Sequence, residues 1–462
     1  MVLGLAATNG YLLASEHQPL TSYGLFVASA ILWVCAFPLW LFLVDSRRSL
    51  GFLAVACGLY GIYFASPAFS PRLLFRYSGL EPVWSSVEVA LTAGLLGAVT
   101  LVAGSCGLGR VLARVPCIRR EIDIDRSLPL LVVASTLGFA MRLLTRLGIN
   151  VEVRMIFVAV QDIGWLALAG IMLAWLRDRA RWWHKAYFIA VTLGIAALGL
   201  ATGALAEIAF PMASLVFLHC WERGRLPLGS ILAGALILAP FQVSKHAFRE
   251  TLRSSSAPAA ELASLQSRLT NFVSITIDMI REGRLEADDV VNANEGRIDM
   301  LSTMAIVVSA TPEQVPYWGG YTYADLFWHL IPRVLVPDKP APGMGQEFPR
   351  RYGLIKWDDT ETSYNLSQTV ELYINFGWLG IGVGMFLIGI LYAILEHTLS
   401  ASTGGALIGS AIFAGLMNFE SNFSIVWGGT PLRILAFYLF IRMLPQHKPD
   451  ALEGLPAGAQ AS

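Results

Sequence analysis

Charge is what this chain has least of. Only 14% of its 462 residues are Asp, Glu, Lys or Arg, where a soluble globular protein carries about 25%. That deficit excludes an ordinary soluble domain and, with 55% hydrophobic residues, points to a protein that spans a membrane several times. The net charge is zero, so the total favours no polyanionic or polycationic partner. Cysteine is also sparse. Cys35, Cys57, Cys106, Cys117 and Cys220 lie in apolar runs or short basic loops without metal-ligand spacing, which excludes a disulfide framework. No Lys or Arg precedes the first apolar residues, so no cleaved secretory signal is expected. HExxH, the Walker A loop and the dinucleotide fingerprint are all missing, and with them go the usual routes to zinc, ATP and nicotinamide chemistry. Asp123-Ile-Asp125 mimics a metal-binding DxD, but it sits on a short basic loop with no βαβ context. No internal repeat is visible, whereas many transporters are built from repeats.

What is present is a series of apolar runs. They fall at about 24–44, 50–69, 87–104, 128–147, 155–176, 186–202, 204–221, 228–244, 374–395, 404–420 and 425–443, with a shorter run at 2–14. Each longer run is close to the ~20 residues a helix needs to cross the hydrocarbon. The expected fold is therefore all-α and polytopic, with 11–12 transmembrane helices and one large helical outer loop. It divides into an N-terminal bundle (1–244), the loop (245–373), three C-terminal spans (374–445) and a disordered tail (446–462). Short loops on one side hold Arg47, Arg48, Arg110, Arg114, Arg119, Arg120, Arg126, Arg177, Arg179, Arg181, Lys185, Arg223 and Arg225, and the other side holds only Arg72 and Arg76. Basic residues stay in the cytoplasm, so the loop 245–373 is expected outside.

Within that loop, apolar residues recur at helical spacing over 259–281 and 297–310, and a short aromatic helix is expected over 322–331. These helices are expected to lie on the outer leaflet. Residues 327–345 follow, with Pro332, Pro337, Pro340 and Pro342 alternating with Arg333, Asp338 and Lys339. Proline fixes φ and restricts its predecessor, so this is a stiff, charged segment.

Arginine is the first candidate chemistry. Arg142 lies inside an apolar run, and an intramembrane charge faces a cavity or a partner. Arg249, Arg268, Arg297, Arg333, Lys339, Arg350 and Arg351 are spread over the outer loop. A guanidinium fork binds phosphate oxygens bidentately. The solvated-surface and snorkelling readings stand beside this for each one. Glu371 stands where the chain re-enters the membrane, either as a general base or as an acid satisfying a helix N-terminus. Asp338 and His329 are further acid–base candidates on the proline segment, and Glu207 is a second intramembrane acid that could pair with Arg142.

Three stretches carry a resemblance: Thr311-Pro-Glu-Gln-Val-Pro-Tyr-Trp-Gly-Gly-Tyr-Thr-Tyr323, Ile331-Pro-Arg-Val-Leu-Val-Pro-Asp-Lys-Pro340, and Glu371-Leu-Tyr-Ile-Asn-Phe-Gly377 with Gly380 and Gly384. In order and spacing they resemble the C-terminal half of Wzy-type oligosaccharide repeat-unit polymerases of O-antigen and exopolysaccharide synthesis. Val336 stands where Trp is common, and Ala204-Leu205 follow Thr202-Gly203 where that family often has a basic residue. The resemblance implies a GT-C-like membrane glycosyltransferase in the bacterial inner membrane with its large loop periplasmic. The implied reaction is inverting, metal-independent transfer between undecaprenyl-diphosphate-linked oligosaccharides, with no cofactor. The implied partners are the lipid-linked donor and acceptor, membrane lipid, a chain-length regulator and a flippase, with no nucleic acid. Arg142, Arg249, Arg268, Arg297, Arg333, Lys339 and Arg351 would hold diphosphate, and Glu371, Asp338 or His329 would act on the acceptor hydroxyl. The competing expectations are an O-antigen ligase-type glycan transferase and a lipid-linked sugar transporter.

Overall fold

The computed structural model describes residues 20–44, 51–69, 84–107, 114–147, 154–253, 264–283, 299–331, 336 and 344–447 except 361 and 365, with a few residues between 6 and 14. Among them the chain is helical, without a named strand; Ile122 and Gln446 make an isolated β-bridge. We number the helices α1 (Ser22–Val44), α2 (Phe52–Ala65), α3 (Trp84–Cys106), α4 (Ile124–Arg146), α5 (Arg154–Leu176), α6 (Trp182–Ala201), α7 (Ala206–Arg223) and α8 (Leu228–Arg253). There follow α9 (Leu265–Arg281), α10 (Met300–Ala310), α11 (Ala324–Leu330), α12 (Met344–Arg351), α13 (Gln368–Leu399), α14 (Thr403–Leu416), α15 (Phe423–Trp427) and α16 (Thr430–Met443).

Nine helical stretches among the described residues are long and apolar enough to cross a membrane, and the shorter helices α10 and α14 are also apolar. The architecture is that of an all-α, multi-pass membrane protein. The 2–14 run falls largely outside the described residues.

The C-terminal spans are not a separate unit. Helix α13 packs along α3, α14 packs against α7 and α5, and α16 against α14 and α5. Small residues let these backbones meet, as membrane helices require in place of a hydrophobic driving force. A side chain on Gly104 would strike the Phe386 carbonyl, and one on Gly389 the Leu101 carbonyl. Helices α4 and α5 meet in the same way: a Cβ on Gly138 would lie 2.6 Å from the Gly164 Cα.

Helix α13 is two helices joined at Gly377, whose backbone (φ 63°, ψ −147°) is not helical. This conformation is close to glycine-only. The bend folds the first segment back on the second, so that Leu372 packs against Gly380 and Gly384. The expected span at 374–395 thus contains the break, and a short buried helix precedes it.

Helix α9 is a helix as its periodicity requires, but it does not lie alone on a surface. It runs antiparallel to α8, with Phe272 stacked on Phe248 at 4.5 Å and Thr276 Oγ1 2.6 Å from Ser244 Oγ. The pair leans on α6.

The start of α4 and the ends of α13 and α16 meet at one end of the bundle. There Arg120, on the strap 115–123, donates from Nε to the Ile441 carbonyl (3.1 Å) and from Nη2 to those of Arg442 (3.0 Å) and Leu444 (2.8 Å). The Asp123 and His447 N–H groups donate to Pro445 and Glu121 carbonyls. Residues 446 and 447, expected to begin a disordered tail, are therefore fixed. The rest of that expected tail, 448–462, falls outside the described residues. The candidate residues gather at the other end.

Candidate functional site

The Tyr317–Tyr323 segment docks on the start of α13 through backbone as well as side chain. The Trp318 N–H donates to the Ile374 carbonyl at 2.9 Å. The Gly320 N–H donates to Asn375 Oδ1 at 2.8 Å. Asn375 Nδ2 in turn donates to Thr322 Oγ1 at 2.9 Å and to the Glu371 carbonyl at 2.7 Å. Asn375 lies one turn beyond Glu371, which is why the Glu-Leu-Tyr-Ile-Asn-Phe-Gly spacing matters: both polar side chains face the docked loop while Gly377 ends the turn. Gly320 has φ 92°, a value that favours glycine.

Glu371 is fully buried, at 0% exposure. Its Oε2 accepts the Phe423 N–H at 2.6 Å, at the first turn of α15. Ser424 Oγ donates to the Thr322 carbonyl at 3.3 Å, so α15, the loop and α13 are tied around one point. Tyr323 lies within electrostatic reach of Glu371; burial first, then that carboxylate, holds its phenol well above the ordinary range.

Arg351 joins this cluster from α12. Its guanidinium stands 4.2 Å over the Trp318 ring and 5.8 Å from Tyr321, and it pairs with Glu347. A cation over an aromatic face is attracted by the ring quadrupole. Behind it the Tyr352 hydroxyl lies 2.6 Å from Thr311 Oγ1, and burial pushes its pKa up to about 12, so it stays protonated. Arg350 Nη2 donates to the Asp359 carbonyl at 2.6 Å.

Below the cluster runs an apolar cleft of about 600 Å³. Leu372, Phe376, Leu379, Val383 and Leu387 of α13 line it, and Gly380 and Gly384 give it depth. Tyr323 and Phe423 close its head. The two residues that flank Glu371 are thus also the roof of the apolar cleft.

A second polar group lies inside the bundle at the same end. Arg142 is partly buried on α4, and Glu207, Arg146 and Asp162 are within electrostatic reach of it. Glu207 forms its ion pair with Arg146 instead of Arg142. Arg433 of α16 pairs with Asp162 of α5 at 3.1 Å. Gln161 Nε2 donates to Thr145 Oγ1 at 3.0 Å.

Of the residues expected from the sequence, Glu371 and Arg351 share the loop cluster, and Arg142 lies in the bundle. Arg249 is exposed on α8 and Arg268 half-buried on α9, both on the antiparallel pair that leans on α6. His329 falls on α11. Arg297, Arg333, Asp338 and Lys339 lie outside the described residues, as does most of 332–343. Asp162 and Arg433 were not singled out by sequence reasoning. Each is a lone charge in an apolar run, and that was the available signal. Asn375 and Tyr323 were seen only as motif letters. Among the described residues no three His, Cys, Asp or Glu side chains gather as a metal-binding set.

Residues 290–448 match a family described only as a domain of unknown function (DUF8712). That stretch runs from before α10 to past α16. It holds the loop cluster, the apolar cleft and Arg433, but not Arg142. No curated protein and no solved structure matches the chain.

Proposed function

We propose that this protein is an inner-membrane glycosyltransferase that joins undecaprenyl-diphosphate-linked oligosaccharide units into a surface or exopolysaccharide, by inverting, metal-independent transfer at the periplasmic face. The observation that carries the reading is the shared roof. Tyr323 and Phe423 close an apolar cleft on one side and flank the Glu371–Asn375 cluster on the other. A substrate with a long apolar tail and a polar, charged head needs these two environments in contact. The motifs at 311–323, 331–340 and 371–377, whose order resembles that of repeat-unit polymerases, meet in this cluster at their first and last members.

In this reading the tail lies along α13 and the head group rests under the loop. Arg351, held over Trp318, is assigned to the diphosphate leaving group together with Arg333 and Lys339, which lie outside the described residues; guanidinium groups stabilise its developing charge without a metal. Glu371 holds the loop. A base must reach the proton it removes, and Glu371 has no exposed surface. The acceptor's proton then falls to Asp338 or His329.

The test is the profile of lipid-linked glycans in cells carrying Arg351→Ala or Glu371→Ala. Accumulated single repeat units with loss of long polymer support the proposal. Full-length glycan left on the carrier would reassign the protein to ligation, and an unchanged profile with normal polymer would overturn the transfer reading.

A further inference from the structure

The crossing of α4 and α5 holds a cleft that the loop cluster does not explain. The helices touch at Gly138 and Gly164. One turn further along α4 is Arg142, and Gln161 and Trp165 flank Gly164 on α5; all of them line the cleft with Val191 of α6. The cleft has room for about one water-sized atom. Two of its lining donors, Arg142 Nη1 and Trp165 Nε1, are buried and have no hydrogen-bond partner among the described residues. The Thr192 hydroxyl, next to Val191 on α6, is a third such group.

Buried N–H donors rarely go without an acceptor, and each such group calls for an explanation. Water could satisfy the donors but not the charge. Among the described residues, Arg142, Arg146 and Arg433 face two carboxylates, Asp162 and Glu207, each already paired with one of the other two arginines. One cation is left in excess among apolar helices, where charge is costly.

We propose that this cleft is an anion seat that receives one phosphoryl oxygen of a phosphate or diphosphate group between Arg142 Nη1 and Trp165 Nε1. The rest of the group extends toward Arg146, one turn further along α4, while Glu207 and Asp162 fix Arg146 and Arg433 at the rim. The size of the cleft sets the stoichiometry at one oxygen. The donor set, two N–H groups beside a net positive charge, sets its sign. This seat deepens the transfer reading, in which Arg142 is among the expected diphosphate ligands, but it is argued from the α4–α5 crossing and not from the loop or α13.

The experiment uses the full chain in phosphatidylcholine nanodiscs, titrated with inorganic diphosphate by calorimetry. Saturable binding is expected. Arg142→Ala is expected to weaken it by at least about tenfold, because a charge-assisted bond is lost. Trp165→Phe keeps an aromatic ring but removes the N–H, and is expected to weaken binding roughly threefold; thermal unfolding verifies that both variants are folded. The titration is repeated in nanodiscs containing phosphatidylglycerol. Competition there identifies a lipid headgroup as the source of the phosphoryl oxygen, whereas unaltered affinity identifies a separately delivered phosphate. No saturable binding, or equal affinity in folded wild-type, Arg142→Ala and Trp165→Phe protein, overturns the proposal. Polymer-forming activity plays no part in the readout, so this result and the glycan profile of the Arg351 and Glu371 variants fail separately.

Discussion

The two ends of the bundle use arginine in opposite ways. At the Arg120 end the cations are consumed by structure. Arg120 donates to three carbonyls at the end of α16, of which that of Ile441 also accepts the Leu444 N–H. Arg177 binds Glu222 through two bonds of 3.0 and 2.9 Å, and Glu121 Oε2 accepts from Thr403 Oγ1 at 2.6 Å. Even the buried Glu396 carboxylate is committed, accepting the Leu53 N–H at 2.8 Å. At the other end, buried donors on Arg142, Trp165, Trp318 and Tyr323 have no hydrogen-bond partner among the described residues. Residue type is the same at both ends, so composition does not separate them. Satisfaction does: the first end is fastened, and the second keeps buried donors without a hydrogen-bond partner among the described residues.

Four substitutions sharpen or break this contrast. The largest effect is expected from Gly377→Ala. The substitution strains a backbone at φ 63° and sets a Cβ 2.8 Å from the Tyr317 hydroxyl, a cost of about 1–3 kcal/mol for the backbone alone. Thermal unfolding should fall accordingly, and the apolar cleft should lose its shape. Next is Arg120→Ala, which removes three hydrogen bonds, leaves the Arg442 and Leu444 carbonyls without that donor and should cost about 2 kcal/mol in denaturation. Arg351→Ala should cost about 1 kcal/mol or less in stability yet abolish polymer formation, a split that chain-length gels and melting curves read side by side. The smallest stability effect belongs to Arg142→Ala. It removes a buried donor that has no partner, so its stability should stay within about 0.5 kcal/mol of wild type or rise.

The helices were legible because a membrane forces apolar runs of near-constant length. The boundaries of α1 to α8 follow the runs within a few residues, except that α8 continues past the span to Arg253. The break at Gly377 was not legible as a break: a glycine in an apolar helix is ordinary in membranes, and only the packing of Leu372 on Gly384 reveals the fold-back. At the site, Glu371 stood out as an acid in a greasy stretch, and Asn375 only as a letter of the motif. Their task did not, because it depends on Phe423, some fifty residues later, whose N–H carries no sequence signal. The pairings Arg146–Glu207 and Arg433–Asp162 join helices far apart in the chain. The sequence did not assign the pairs: Glu207, expected as a partner of Arg142, pairs with Arg146.

The contrast between the ends is tested most directly by melting Arg120→Ala and Arg142→Ala protein side by side in the same nanodiscs. A clear drop for Arg120→Ala, with Arg142→Ala at or above wild type, is the result expected if one end fastens and the other waits for an anion. An equal drop for both would make Arg142 one more structural arginine and erase the distinction.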